Sequence, residues 1–111
     1  HTVGHAIESF NDYKNLLHGE AIFYGMKCAL YLSNKFGNLP NDEYDVSLQL
    51  LSKFDIPKLD IDDKEIFINF VKNDKKFREK KIRFILLDEI GKSRISEDIS
   101  FDQIKESLSV L

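Results

Sequence analysis

The chain has three histidines, and all of them lie within its first 18 residues. His1 and His5 are four residues apart, so a helix would place both imidazoles on one face, about one turn apart. His18 follows at the predicted start of a second helix. Neutral imidazole is a good zinc ligand, and a catalytic zinc takes three protein ligands and keeps one open position. The spacing therefore indicates a candidate metal site shared by the ends of two helices.

The spacing alone leaves other interpretations open. His5 could be a packed core histidine, and His1 could be the remnant of a cloning junction. Two nearby carboxylates, Glu8 and Glu20, could each orient a metal-bound imidazole. Equally, Glu8 could lie on a solvated helix face, and Glu20 could complement the positive end of the second helix. Cys28 is predicted to be a small core residue rather than a nucleophile or a ligand.

A basic run covers residues 72–81 and contains six Lys or Arg side chains in ten positions. A solvated loop would explain it. A functional loop is the alternative, in which an anionic phosphate or carboxylate is contacted by Lys72, Lys75, Lys76 and Arg78. Nucleic acid is disfavoured as a partner, because the chain has 16 basic against 19 acidic residues and a net charge of −3.

The composition is that of one globular domain or of one part of a larger domain. Of the 111 residues, 42% are hydrophobic and 12% aromatic, which is enough to bury a core and argues against disorder. No apolar run approaches the roughly 18–20 residues of a membrane span, and no secretion signal is visible. A single cysteine cannot form an internal disulfide. We expect a cytoplasmic protein that does not bind membranes.

The first residue is His1 rather than Met. We therefore expect the chain to be a piece of a longer polypeptide.

The elements that must position these residues are predicted to be mainly helical. Helices are expected over 1–10, 18–36, 42–53 and 62–72, a hairpin across 82–95, and a last helix from about 101. The fold class is therefore a helical bundle with one small β-hairpin.

Two of these helices carry particular signals. The helix over 18–36 has a broad apolar surface, which is typical of a helix buried in a bundle. Its small residues Ala21, Gly25 and Cys28 would let another backbone approach closely. In the helix over 62–72, Asp62 is predicted to be the N-cap, and Ile66 is predicted to lie on the apolar face.

Three stretches together resemble the C-terminal part of the 3-dehydroquinate synthase family. They are the residues 1–8 (HTVGHAIE), the residues 17–22 (LHGEAI) with Gly25-Met26, and Asp74-Lys75-Lys76. The run 82–87 and the residues 90–91 are similar to the closing hairpin of that family. The resemblance thus extends over essentially all of the chain, in the right order.

The resemblance implies a role for each matching residue. His1 and His18 would bind a catalytic zinc, and His5 would contact the substrate beside the metal. Either Lys75 or Lys76 would contact anionic groups of the substrate. The third zinc ligand in the family is a glutamate upstream of the matching segment, and NAD is bound by an N-terminal domain. Neither is expected within residues 1–111, which would be part of one C-terminal helical domain.

The implied activity is that of a zinc- and NAD-dependent phosphate lyase of the shikimate pathway. It would convert 3-deoxy-D-arabino-heptulosonate 7-phosphate to 3-dehydroquinate and phosphate, and the full-length enzyme would be a homodimer. We expect the 111 residues alone to be inactive. The alternatives are a related sugar-phosphate cyclase, such as 2-deoxy-scyllo-inosose synthase, and a non-catalytic helical interaction module.

Overall fold

The computed structural model describes residues 1–11, 16–75 and 82–111. The elements in these ranges are the helices α1 (Thr2–Phe10), α2 (His18–Lys35), α3 (Asn41–Ser52) and α4 (Lys64–Asn73), the strands β1 (Phe84–Glu89) and β2 (Lys92–Ser96), the helix α5 (Phe101–Ser107) and a 3-10 turn (Leu108–Val110). This order confirms the predicted fold class, a mainly helical domain with a small hairpin. Among the described residues, no helix has both the length and the apolar character needed to cross a bilayer.

Helix α2 lies at the centre of the fold, because α1, α3, α5 and β1 all contact it. Its side chains Ala21, Cys28 and Leu32 are completely buried. The predicted broad apolar surface of this helix is therefore confirmed. Its margins differ, since Met26 remains 45% exposed and Phe36 39% exposed.

Helices α1 and α2 cross at two glycines, where their backbones touch. A Cβ atom at Gly25 would lie 2.8 Å from the backbone nitrogen of Gly4. A Cβ atom at Gly4 would lie 2.9 Å from the carbonyl oxygen of Ala21. The close approach predicted from the small residues of α2 is thus confirmed. The crossing brings the start of α1, with its two histidines, beside the first turn of α2.

Helix α4 begins differently from the prediction. Its N-cap is Asp63 instead of Asp62, and the Asp63 carboxylate accepts hydrogen bonds from the backbone N–H groups of Glu65 (3.0 Å) and Ile66 (3.1 Å). The prediction for Ile66 is also wrong, because its side chain is 57% exposed. The buried face of α4 consists of Phe67, Ile68 and Val71. These residues share one side of the helix, and Ile66 lies outside that side.

Helix α3 lies on the surface, and none of its residues is fully buried. The chain then continues through α4 to the hairpin, where β1 and β2 pair antiparallel with an irregularity at Asp88. Gly91 has a φ of +85° in the connecting turn, a conformation that favours glycine. The backbone N–H of Leu87 donates to the Ser33 hydroxyl at 2.9 Å, which joins the hairpin to α2.

Candidate metal and substrate site

The structure brings all three histidines together at the α1–α2 crossing. The ring centroids of His1 and His5 are 5.3 Å apart, and those of His5 and His18 are 5.7 Å apart. The centroids of His1 and His18 are 6.5 Å apart. The three imidazoles therefore form one cluster. Because 12 residues separate His5 from His18 in the sequence, the crossing of the two helices is what brings them together.

The cluster faces solvent. The side chains of His5 and His18 are 56% and 57% exposed, and His1 is exposed as well. The alternative in which His5 is a packed core histidine is therefore wrong. Three accessible imidazoles can receive a metal ion or a polar ligand without first displacing core side chains.

The two nearby carboxylates have different surroundings. Glu20 accepts a hydrogen bond from the backbone N–H of Leu17 at 3.0 Å, which closes the first turn of α2. Glu8 is only 9% exposed, and its Oε2 lies 3.1 Å from Nδ1 of His18 and 3.6 Å from Nδ1 of His5. The sequence offered both carboxylates as partners for an imidazole, and the structure places Glu8 in that position.

The donor set fits a zinc ion. One possible ligand atom from each of His5, Glu8 and His18 lies within 4.8 Å of the other two. Imidazole nitrogen and carboxylate oxygen are both ordinary zinc ligands. Small side-chain rotations would bring such atoms to the separation of about 3.4 Å that follows from tetrahedral bonds of about 2.1 Å.

The geometry and the family resemblance group the histidines differently. Two imidazoles on one tetrahedral zinc have ring centroids about 5 Å apart, given bonds of about 2.0–2.1 Å. The 5.3 Å between His1 and His5 and the 5.7 Å between His5 and His18 are both close to that value. His1 and His18, the ligand pair implied by the resemblance, are 6.5 Å apart and would have to approach each other to share one ion.

The lysines implied by the resemblance are only partly within the described residues. Lys75 is exposed, two residues beyond the end of α4, and Lys76 lies outside the described residues. Edge-to-face contacts of Phe10 with Phe67 and Phe70 pack α4 against α1, the helix that carries His5. Within the described part of the chain, no hydrogen bond or ion pair joins Lys75 to the histidine cluster.

Cys28 lies away from the cluster, in the core. Burial raises the pKa of its thiol to about 12. Because a nucleophile or a metal ligand must be a thiolate, this environment is typical of a structural cysteine, as predicted.

A sequence model described as 3-dehydroquinate synthase C-terminal matches residues 1–77. The chain belongs to this family. The matched segment contains the three histidines, Glu8 and Lys75. The predicted family is thus confirmed, and the match favours an enzyme domain over an unrelated interaction module.

Individual relatives agree with the family match. The 3-dehydroquinate synthase of Chlorobaculum parvum is 41% identical over 98 residues, covering 82% of this chain and 26% of the relative. That of Thermodesulfovibrio yellowstonii is 38% identical over 111 residues, covering 98% of this chain and 31% of the relative. The chain thus spans about a quarter to a third of the length of these 3-dehydroquinate synthases.

A solved structure shows the same fold. The crystal structure of a 2-deoxy-scyllo-inosose synthase superposes with a TM-score of 0.72 at 28% sequence identity. The superposition covers 98% of this chain and 30% of that one. The likeness to this synthase therefore extends to the hairpin and α5, beyond the residues of the family match.

Proposed function

We propose that these residues form the metal- and substrate-binding part of a 3-dehydroquinate synthase. The whole enzyme would convert 3-deoxy-D-arabino-heptulosonate 7-phosphate to 3-dehydroquinate and phosphate in the shikimate pathway. The observation that carries the proposal is the convergence of His1, His5 and His18 beside Glu8, inside the segment that matches the family.

The proposal gives the histidines different tasks. His1 and His18 would hold a zinc ion, and the exposed imidazole of His5 would contact the substrate beside it. Zinc bound here would polarise a substrate hydroxyl, while NAD held by another part of the enzyme would take up a hydride and return it. The substrate carries a phosphate and a carboxylate, and an ammonium group of Lys75 or Lys76 would bind one of these anions.

Three further properties belong to the whole enzyme. It would require zinc and NAD, form a homodimer and work in the cytoplasm. The buried, unpaired thiol of Cys28 is compatible with a reducing compartment.

The proposal can be tested in a chimera that joins this chain to the remainder of a 3-dehydroquinate synthase. The matching third of the Thermodesulfovibrio yellowstonii 3-dehydroquinate synthase would be replaced by this chain, and phosphate release would be measured with substrate, NAD and zinc. We expect the chimera to release phosphate and to lose this activity after treatment with a zinc chelator. A well-folded chimera that converts no substrate, while the parent relative does, would contradict the proposal.

A related sugar-phosphate cyclase is the second candidate. The superposition with 2-deoxy-scyllo-inosose synthase favours it, at 28% identity. The two 3-dehydroquinate synthases, at 41% and 38% identity, are more similar in sequence and favour the first candidate. An assay of the full-length enzyme with the heptulosonate substrate would separate the two, because a cyclase of different specificity would not release phosphate from it and the residues that select the substrate would lie partly outside this chain.

A further inference from the structure

Glu8 is a buried carboxylate that is held between two exposed imidazoles. It lies on α1, three residues after His5. Its Oε2 is 3.1 Å from Nδ1 of His18, within hydrogen-bonding distance, and 3.6 Å from Nδ1 of His5, beyond the usual range. Glu8 therefore has one hydrogen-bonded imidazole, and this imidazole belongs to α2.

The hydrogen bond determines which nitrogen of His18 carries the proton. An ionised carboxylate can only accept hydrogen bonds, so Nδ1 of a neutral His18 must be the donor. Its Nε2 atom then keeps a free lone pair. Metal-binding histidines usually donate their second ring N–H to a carboxylate or a carbonyl, which sets both the tautomer and the orientation of the ring.

We propose that Glu8 is a positioning residue that holds His18 as the Nδ1–H tautomer, with Nε2 directed to a divalent metal. This inference rests on the proposed zinc site. It assigns to Glu8 a role in metal binding through His18, without requiring Glu8 to touch the ion.

The surroundings of Glu8 suit this role. Burial makes an unpaired carboxylate costly, so Glu8 must keep a partner. The backbone contact between Gly4 and Gly25 holds α1 against α2. This contact keeps the side chains of Glu8 and His18 close together. The hydrogen bond thus connects the two helices at the point where the cluster forms.

The tautomer of His18 is the first test, and it needs no metal. Long-range ¹H–¹⁵N correlation spectra of the 111-residue chain would be recorded at pH 8.5 for the unsubstituted chain, Glu8→Ala and Glu8→Gln. We expect His18 to be the Nδ1–H form in the unsubstituted chain and in Glu8→Gln, whose amide oxygen also accepts. In Glu8→Ala it should shift to the Nε2–H form. An unchanged tautomer in folded Glu8→Ala would overturn the inference.

Zinc affinity is the second test, measured by competition with a chromophoric chelator. We expect Glu8→Ala to bind zinc about 10–100-fold more weakly, as for other residues that support a metal ligand. Glu8→Gln should lose much less. As a matched control, Glu20→Gln should bind zinc like the unsubstituted chain, because Glu20 bonds only the backbone of Leu17 within the described contacts.

Two other outcomes have separate meanings. If Glu8→Gln loses as much affinity as Glu8→Ala, and the visible spectrum of bound Co²⁺ changes, Glu8 is itself a ligand and the inference is overturned. If the unsubstituted chimera neither binds zinc nor converts substrate, the proposed function fails. The tautomer spectra would still decide the role of Glu8 toward His18.

Discussion

His1, His5 and His18 have the same side chain but different neighbours. His18 is hydrogen-bonded to the buried Glu8, and His1 stacks against His5 with an angle of 25° between the rings. The three ring centroids form a triangle, in which His5 is nearest to both of the others. Substitution of one histidine at a time should therefore separate metal binding from substrate contact.

The histidine prediction concerns single His→Ala changes in the chimera. His1→Ala and His18→Ala should lose both zinc and turnover, because each removes a proposed ligand. His5→Ala should keep most of its zinc and lose rate. Zinc content after dialysis, determined by mass spectrometry, and phosphate release would be measured on the same samples.

The alternative set of zinc ligands, His5, Glu8 and His18, predicts a different result. If His5, Glu8 and His18 hold the ion, His5→Ala should lose zinc as readily as His18→Ala, and His1→Ala should retain it. That pattern would contradict the proposed division of tasks.

At the scale of elements, the crossing of α1 and α2 determines whether the cluster can form. Gly25 meets the backbone of Gly4, so any added side chain must push the two helices apart. Gly19, in the first turn of α2, has no atom within 4 Å of its Cβ position. The two glycines of one helix therefore form a natural pair for comparison.

Gly25→Ala should destabilise the fold. Overpacking typically costs about 1–3 kcal/mol, which exceeds the advantage of about 0.8–1.0 kcal/mol that alanine has over glycine in a helix. Gly19→Ala should be neutral or stabilising, because only the helix propensity changes. Urea unfolding would give both free energies, and zinc affinity should fall in Gly25→Ala only. Equal stability of the two variants would show that the crossing tolerates displacement.

A second element-scale contact fixes the hairpin. The Asp88 carboxylate accepts hydrogen bonds from Nε of Arg94 (2.7 Å) and from Nδ2 of Asn38 (3.1 Å). These two bonds, with that from Arg94 the stronger, hold the pKa of Asp88 below its ordinary value. Asp88 thus joins both strands to the loop after α2.

This lowered pKa predicts the direction of a pH effect. The ionised carboxylate stabilises the folded chain above the ordinary pKa of about 3.9, and the contribution disappears as pH falls through the lower pKa of the folded state. Asp88→Asn should therefore be less stable than the unsubstituted chain at pH 7, with a difference that shrinks below pH 4. Urea unfolding from pH 7 to pH 3 would measure it. Asp55→Asn, at an exposed position, is the control, and a difference for Asp88→Asn that grows toward pH 3 would contradict the assignment.

At the scale of the whole molecule, the proposed function makes the chain one surface of a larger site. Its histidines face outward, and its relatives are three to four times as long, since the chain covers 26% and 31% of them. In the proposed enzyme, the third zinc ligand and the NAD site would belong to the remainder.

The 111-residue chain assayed alone should therefore release no phosphate, even with zinc and NAD present. Its helical circular dichroism should nevertheless match a folded bundle, because the core is contained within it. The active chimera serves as the positive control for substrate and reagents. Phosphate release by the 111 residues alone would show that the chain holds a complete site.

Much of the fold could be predicted from the sequence, because its signals are local. The last helix was predicted to begin at about residue 101, and Ser100 and Gln103 cap it reciprocally, at 2.9 and 3.2 Å. Gly91 occupies the turn of the hairpin, and the small residues of α2 allow the close crossing. Local hydrogen bonds and backbone geometry determine the cap and the turn, so no distant contact is needed to recognise these two features.

The tertiary structure alone decided which side chains are covered and which carboxylate matters. Ile66 was predicted to lie on the apolar face of α4. Its side chain is exposed, because the face of α4 around Phe67 packs against the core instead. Glu8 and Glu20 were equivalent candidates in the sequence. The crossing of α1 and α2 buries Glu8 against His18 and leaves Glu20 to close a helix end. Local periodicity tells which side chains share a face, but only the packing of distant segments brings two particular side chains within hydrogen-bonding distance.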